Sequence, residues 1–169
     1  MVVDTPLLIV GGGPGALAAA EIASGYSLPT LVVGHVAGAG PAPDFPVALD
    51  ADAVAALTPH GVLDVLRPYL AVLDPPTLSP RVFEEVLKQH SIADFNVTVY
   101  DGLEVEDRDV DPISGVVRGV LTDHRRRWSL TADAMIDTTT FPPGLSDTVN
   151  RAVAEVVAVL QQIRTGRAG

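Results

Sequence analysis

The sequence contains no cysteine among its 169 residues. Disulfide bonds, catalysis by a thiol and metal sites built on thiolates are therefore excluded. Basic residues are also few, since 11 lysines and arginines stand against 21 aspartates and glutamates, for a formal net charge of -10. Because nucleic-acid binding requires a basic surface, this charge argues against a nucleic-acid partner.

The signals of export and membrane insertion are missing as well. The N-terminal segment carries Asp4 and no lysine or arginine, so it lacks the charged start of a signal peptide. Its apolar run is interrupted at Gly11–Gly15, and no other apolar stretch is long enough to span a membrane. We therefore expect a soluble, cytoplasmic protein without a membrane partner. The hydrophobic content of 47% excludes wholesale disorder, and the length favours one domain over 1–169.

The most informative stretch is Leu7–Ala20, with the sequence LLIVGGGPGALAAA. Its four leading aliphatic residues predict a buried parallel strand. Glycines follow at once, and the alanine-rich segment Ala16–Ala23 predicts a helix. A second buried strand is predicted at Thr30–Val33. Strand, helix and strand within some thirty residues indicate a right-handed βαβ unit.

The glycine turn matches the pattern G-x-G-x-x-G/A at Gly11, Gly13 and Ala16. In a strand–turn–helix context this pattern is a dinucleotide-binding fingerprint, in which the second glycine lets the backbone approach a pyrophosphate. Pro14 suits the first helical turn, because a missing N–H is harmless there. We predict that phosphates bind the free N–H groups between Gly13 and Ala16, including that of Gly15.

The middle of the chain is predicted to be irregular and helical. Glycines and prolines indicate a loop over Gly34–Pro46, and short helices are expected at Asp50–Leu57 and Gly61–Leu73. We interpret 36–77 as an insertion. Ser79 and Pro80 then begin a helix that runs to about His90. Three side chains of that helix are expected to face inward: Phe83, Val86 and Leu87.

Strands dominate the next part of the sequence. They are predicted at Val97–Tyr100, Leu103–Asp107, Gly115–Asp123, Trp128–Thr131 and Ala134–Asp137. The middle three, separated by turn residues, indicate an antiparallel meander. The acidic run from Asp101 to Asp111 is interpreted as a solvated strand edge. The fold class is therefore α/β, a small parallel Rossmann-like sheet flanked by helices with an antiparallel β-meander over one side.

A last helix is predicted after Ser146, which we expect to cap it. Its apolar stripe consists of Val149, Val153, Val156, Leu160 and Ile163. The stripe fits packing on the sheet. Its spacing also suits pairing with a protein partner or with a second copy of the chain.

This order of elements resembles the FAD-binding core of the glutathione-reductase-type flavoprotein superfamily. The matching segments are LLIVGGGPGALAAAEIA, SPRVFEEVLKQH and GVVRGVLTDHRRRWSLTADAMIDTTT. The resemblance covers most of the chain except about Val36–Thr77 and includes no substrate domain. It implies an FAD- or NAD(P)-binding fold.

The sequence departs from this family at three other anchors of the cofactor. The family's ribose-binding carboxylate at the end of the second strand is replaced by Gly34, which His35 follows. We keep both as candidate cofactor-binding positions. The family's Asp-Ala-Thr-Gly segment is here Asp137–Thr140, with three threonines, and the late Gly-Asp motif has no clear counterpart.

These observations leave several functions open. The first is a minimal flavoprotein-like protein that binds FAD or NAD(P), acting as an oxidoreductase with a partner subunit. The alternative is a non-catalytic descendant of the flavoprotein fold that binds no cofactor and serves as a binding, regulatory or assembly module. A third is binding of a mononucleotide or an acyl-type metabolite in the same cleft. No side chain stands out as a catalytic acid or base, and the histidines lack metal-type spacing.

Overall fold

The computed structural model describes residues 2–34 and 42–168 and shows the predicted α/β fold. Its strands are β1 (Val2–Val10), β2 (Thr30–Val33), β3 (Val47–Ala48), β4 (Thr77–Leu78), β5 (Val97–Tyr100), β6 (Glu104–Val110), β7 (Val117–Thr122) and β8 (Arg127–Asp137). Its α-helices are α1 (Pro14–Gly25), α2 (Ala51–Leu57), α3 (Val62–Leu66), α4 (Pro80–Ile92) and α5 (Leu145–Ala168). Short 3-10 helices cover Thr58–His60, Arg67–Tyr69 and Thr138–Thr140.

Six of the strands form one sheet in the order β5-β2-β1-β8-β7-β6. The first four are parallel, and β7 and β6 continue the sheet in antiparallel fashion. The strands β3 and β4 form a separate antiparallel pair. The predicted βαβ unit and the meander are therefore confirmed.

Opposite faces of the sheet carry two separate hydrophobic cores. Leu7 and Ile9 of β1 point to the face that the helices cover. Leu8 points the other way, because successive side chains of a strand alternate between faces, and it belongs to a second cluster that also includes Leu121 of β7. Helices thus pack on one face of the sheet, and the second cluster, which includes residues of the meander, lies on the other face.

The strand β8 corrects one sequence prediction. Two strands were expected, at Trp128–Thr131 and Ala134–Asp137, but one continuous strand runs through both. Ala132 between them is buried and Asp133 is exposed, so the alternation of a strand is not interrupted. β1 pairs with β8 along most of its length, which provides hydrogen bonds on both sides of the supposed break.

Helix starts agree with the sequence at α4 but not at α5. The Oγ atom of Ser79 accepts a hydrogen bond from the Val82 N–H at 3.1 Å, which confirms the predicted cap. Ser146, the predicted cap of the last helix, lies inside α5. Its Oγ atom accepts instead the N–H of Asp50 at 2.9 Å. The hydroxyl therefore joins the start of α2 to α5.

The helix predicted at Gly61–Leu73 is much shorter in the structure. The α-helix α3 ends at Leu66, and a 3-10 turn follows at Arg67–Tyr69. Pro68 explains this limit, because it lacks the N–H that a continuing α-helix needs.

The apolar stripe of α5 packs within the chain. Val149 and Val156 are fully buried, and Val153, Leu160 and Ile163 pack against the same core at partial exposure. Docking of a partner on α5 stays a prediction. No helix in the described residues is long and apolar enough to cross a membrane.

A buried carboxylate, which no sequence pattern indicated, joins α1 to α4. Glu21 of α1 is only 5% exposed. It accepts a hydrogen bond from the Ser91 hydroxyl at 2.8 Å, and the Nδ1 atom of His90 lies 2.9 Å from its oxygens. A buried charge is tolerated only when it is paired in this way.

Replacement of Ser91 by alanine tests this link. Ser91→Ala removes a hydrogen bond to a buried charged group, so we expect the free energy of unfolding to fall by roughly 1.5–3 kcal/mol. Thermal unfolding followed by circular dichroism should show a lower Tm, by roughly 2–4 °C per kcal/mol. The control is Ser129→Ala at an exposed position of β8. Equal Tm values for the two variants would contradict the link.

Candidate functional site

The parallel strands end at a common edge of the sheet. The register pairs their last residues across the sheet: Val10 with Val33 and Asp137, and Val33 with Tyr100. The residues that follow therefore lie at the same edge: Gly11, Gly34, Asp101 and Thr138. In open α/β sheets ligands bind at the carboxyl ends of the strands, where the connections diverge to opposite sides. This edge is therefore the candidate site.

The glycine turn after β1 has the geometry that the fingerprint predicts. The φ angles of Gly11 and Gly13 are 119° and 89°, a backbone conformation that residues with a side chain rarely adopt. The N–H of Gly11 donates to the carbonyl of Val33 at 3.0 Å, which ties the turn to β2. A Cβ atom added at Gly13 would meet no described atom within 4 Å. Gly13 therefore faces open space that a ligand could occupy.

The first turn of α1 adds free hydrogen-bond donors to this space. Pro14 occupies the start of the helix, and in the described part of the chain no side chain caps it. The first N–H groups of an α-helix have no partner within the helix, and they carry the positive end of its dipole. The turn at Gly15 and Ala16 is therefore suited to bind an anionic group.

Packing also requires glycine at several positions of the turn, among them Gly11 and Gly15. A Cβ atom on Gly11 would clash with the Oγ1 atom of Thr138. A Cβ atom on Gly15 would lie 2.5 Å from Oγ1 of Thr148 and 2.9 Å from the ring of Phe141. The fold alone therefore accounts for these two glycines, whereas it does not account for the open space over Gly13.

The threonine segment after β8 forms part of the same edge. Thr138 is buried, and its hydroxyl donates to the carbonyl of Val10 at 3.0 Å. Asp137 accepts hydrogen bonds from the backbone and the hydroxyl of Thr139 and pairs with Arg108 at 3.1 Å. The segment is thus held by its own hydrogen bonds beside the glycine turn.

Charged side chains form the opposite wall of the site. Glu84 and Lys88 lie four residues apart on α4, and therefore on one face of the helix. The Nζ atom of Lys88 lies 2.6 Å from Oδ2 of Asp101. Burial raises the pKa of Glu84 above its ordinary value. The charge of Lys88 opposes that shift, whereas the charges of Glu85 and Asp101 add to it.

The glycine turn and the charged wall enclose an open cleft of about 110 Å³. Gly11, Gly13, Ala16 and Gly34 line it, so the structure brings together four of the predicted cofactor-binding residues. Pro14 and Gly15 adjoin them in the first turn of α1. His35 lies outside the described residues. Whether these residues hold a cofactor stays a prediction.

Sequence reasoning missed the charged wall. It placed Asp101 in a solvated acidic run and did not single out Glu84 or Lys88. One signal was available, because Asp101 directly follows β5 and the carboxyl ends of parallel strands meet at one edge. Pairing of β5 with β2, however, is not visible in the sequence.

No protein-family model matches the chain, and no curated protein matches it in sequence. Solved structures of similar fold do match. The flavin-dependent monooxygenase PieE, solved in complex with FAD and substrate, matches with a TM-score of 0.60 and 19% identity over 79% of this chain and 30% of PieE. p-Nitrophenol 4-monooxygenase PnpA from Pseudomonas putida gives a TM-score of 0.62 and 21% identity over 81% of this chain and 41% of PnpA. The substrate-free rebeccamycin biosynthetic enzyme RebC gives a TM-score of 0.63 and 15% identity over 82% of this chain and 33% of RebC.

These similarities confirm that the chain has a fold found in flavin-dependent monooxygenases. At identities of 15% to 21% they establish the fold alone. The chain spans between 30% and 41% of the length of these enzymes.

The charge of Asp137 tests whether its hydrogen bonds and ion pair stabilise the threonine segment at the edge of the sheet. Burial alone would raise the pKa of Asp137, but the hydrogen bonds from Thr139 and the ion pair with Arg108 lower it below the ordinary value of 3.8. The ionised group therefore stabilises the fold above that value, and the contribution is lost as the pH falls through the lowered pKa. We expect Asp137→Asn to cost about 1 kcal/mol at neutral pH.

Unfolding by urea at neutral pH and at a series of acid pH values below the ordinary pKa of 3.8 measures this difference. The deficit of Asp137→Asn should shrink in acid, since the wild-type carboxyl then becomes protonated. Asp133→Asn, at an exposed position of the same strand, serves as the control. A deficit that is independent of pH would show that the charge of Asp137 is not the cause.

Proposed function

We propose that the chain binds FAD in the cleft beside the glycine turn, with its pyrophosphate on the N–H groups of Gly15 and Ala16. The observation that carries the proposal is the open space over Gly13 at the uncapped start of α1. A helix N-terminus with free donors and a bare backbone is suited to a pyrophosphate. The fold shared with flavin-dependent enzymes favours FAD over NAD(P).

The described residues fit the nucleotide half of this cofactor. The turn offers donors for the phosphates, and the cleft continues past Gly34 toward Asp101, where an adenosine would extend. Bound FAD would supply redox chemistry through its flavin. The residues of the chain would bind and orient it.

We further propose that the chain belongs to the glutathione-reductase-type superfamily and acts as an oxidoreductase with a partner subunit. The order of β1, α1, β2, α4 and the meander along the chain supports membership of the superfamily. The chain spans less than half of the monooxygenases it matches. A similar activity would therefore need residues from additional polypeptide. We propose that a partner subunit supplies them.

A second candidate is a non-catalytic module that holds no cofactor. The contact of Thr138 with Gly11 favours it, because there packing explains a glycine that the fingerprint assigns to nucleotide binding. In this case the glycine turn would be a structural junction, and the module would act through its binding partners.

Substitution at Gly13 separates the two candidates. Gly13→Ala places a methyl group in the open space and in the path of a phosphate, so we expect the Kd for FAD to rise about tenfold or more. Gly61→Ala controls for an alanine at a positive φ away from the site, since no described atom lies within 4 Å of an added Cβ there either, although Gly61 is in the αL region and Gly13 is not. It should destabilise the fold by roughly 1–2 kcal/mol without changing the Kd.

The measurement is titration of the full chain with FAD, followed by calorimetry and by flavin absorption after gel filtration. Circular dichroism confirms that both variants are folded. A wild-type chain that retains no FAD would contradict the flavin proposal and favour the second candidate. Equal loss of affinity in both variants would show that the turn does not contact the cofactor.

A further inference from the structure

The position after β2 is unusual for a nucleotide-binding βαβ unit. In such units a carboxylate about 20 residues after the glycine turn accepts hydrogen bonds from the ribose hydroxyls of the adenosine. Here that position is Gly34, which has no side chain. A ligand bound at the glycine turn would therefore lack its usual ribose partner on β2.

A carboxylate from the neighbouring strand lies beside this position. The register pairs Val33 with Tyr100, so Gly34 and Asp101 follow adjacent strands side by side. The Gly34 N–H donates to the Tyr100 carbonyl at 3.1 Å, which holds the two strand ends together. A Cβ atom built on Gly34 would lie only 3.1 Å from Oδ1 of Asp101. The Asp101 carboxylate thus borders the space into which a side chain at position 34 would project.

An ion pair orients this carboxylate. The Nζ atom of Lys88 lies 2.6 Å from Oδ2 of Asp101, so the lysine contacts one oxygen while the other, Oδ1, faces Gly34. The side chain of Asp101 is 60% exposed, which leaves it accessible to a ligand. Gly34, Lys88 and Asp101 all line the same cleft as the glycine turn.

We propose that Asp101 accepts the hydrogen bonds of the adenosine ribose hydroxyls, and that Lys88 positions it. The chain thereby supplies from β5 the carboxylate that β2 lacks. This inference rests on the proposed FAD binding and specifies its adenosine end. It also sets a preference, because the carboxylates of Asp101 and Glu84 would repel a phosphate on the ribose 2′-oxygen.

The test compares two ligands that differ only at the ribose. The full chain is titrated with FAD and with the analogue that carries 2′-deoxyadenosine. Because loss of a hydrogen bond to a charged group is costly, wild type should bind FAD about tenfold or more tightly than the analogue. Asp101→Ala should bind both ligands with similar Kd values. A merely structural role of Asp101 would weaken both ligands and leave their ratio unchanged.

Two further variants complete the design. Lys88→Met should reduce the preference for FAD over the analogue. Lys88→Arg should keep the wild-type preference, since an arginine can also pair with Asp101. Asp133→Asn, on the exposed side of β8, is the charge-matched control for Asp101 and should keep the wild-type ratio. Melting temperatures of all variants show whether they remain folded.

The outcomes separate the inference from the proposed function. If wild type binds FAD and Asp101→Ala keeps the wild-type ratio, the role of Asp101 is refuted while FAD binding stands. If wild type binds neither ligand, the proposed function fails and the inference fails with it. Tighter binding of adenosine 2′,5′-bisphosphate than of ADP would also refute the inference, because Lys88 would then serve a phosphate and not Asp101.

Discussion

The in-register pairing of β1 with β2 on one side and β8 on the other is the constraint on which the candidate site depends. Because β5 pairs in turn with β2, the four parallel strands end level with one another. Every residue that leaves a strand at this level enters the same small space. The strand register thus brings together the glycine turn, Asp101 of the charged wall and the threonine segment, which come from distant parts of the sequence.

Neighbouring glycines of the turn are required for different reasons. Gly11 and Gly15 leave room for Thr138, Thr148 and Phe141, so they would be needed with or without a ligand. Gly13 is different, because its conformation excludes other residues although no described atom crowds it. Glycine adopts this conformation without steric strain, and the absence of a side chain leaves the backbone accessible. A phosphate bound at the turn would use that access.

Local signals explain what the sequence predicted well. The aliphatic run, the glycine turn and the alanine-rich helix lie next to each other, so β1, α1 and β2 could be placed from the pattern alone. The sequence predicted two strands where the structure has β8, because pairing with β1 decides its continuity. It also predicted Ser146 as a helix cap, whereas the hydroxyl accepts the distant N–H of Asp50. Asp101 was missed for the same reason, since its position depends on the register between β2 and β5.

Binding of a dinucleotide at the glycine turn can be followed through backbone amide chemical shifts while isotope-labelled protein is titrated with FAD. We expect the largest changes at the amides of Gly13, Gly15 and Ala16, with a second group at Gly34 and Asp101. Saturating changes confined to other surfaces, or no change at millimolar FAD, would contradict binding at the turn.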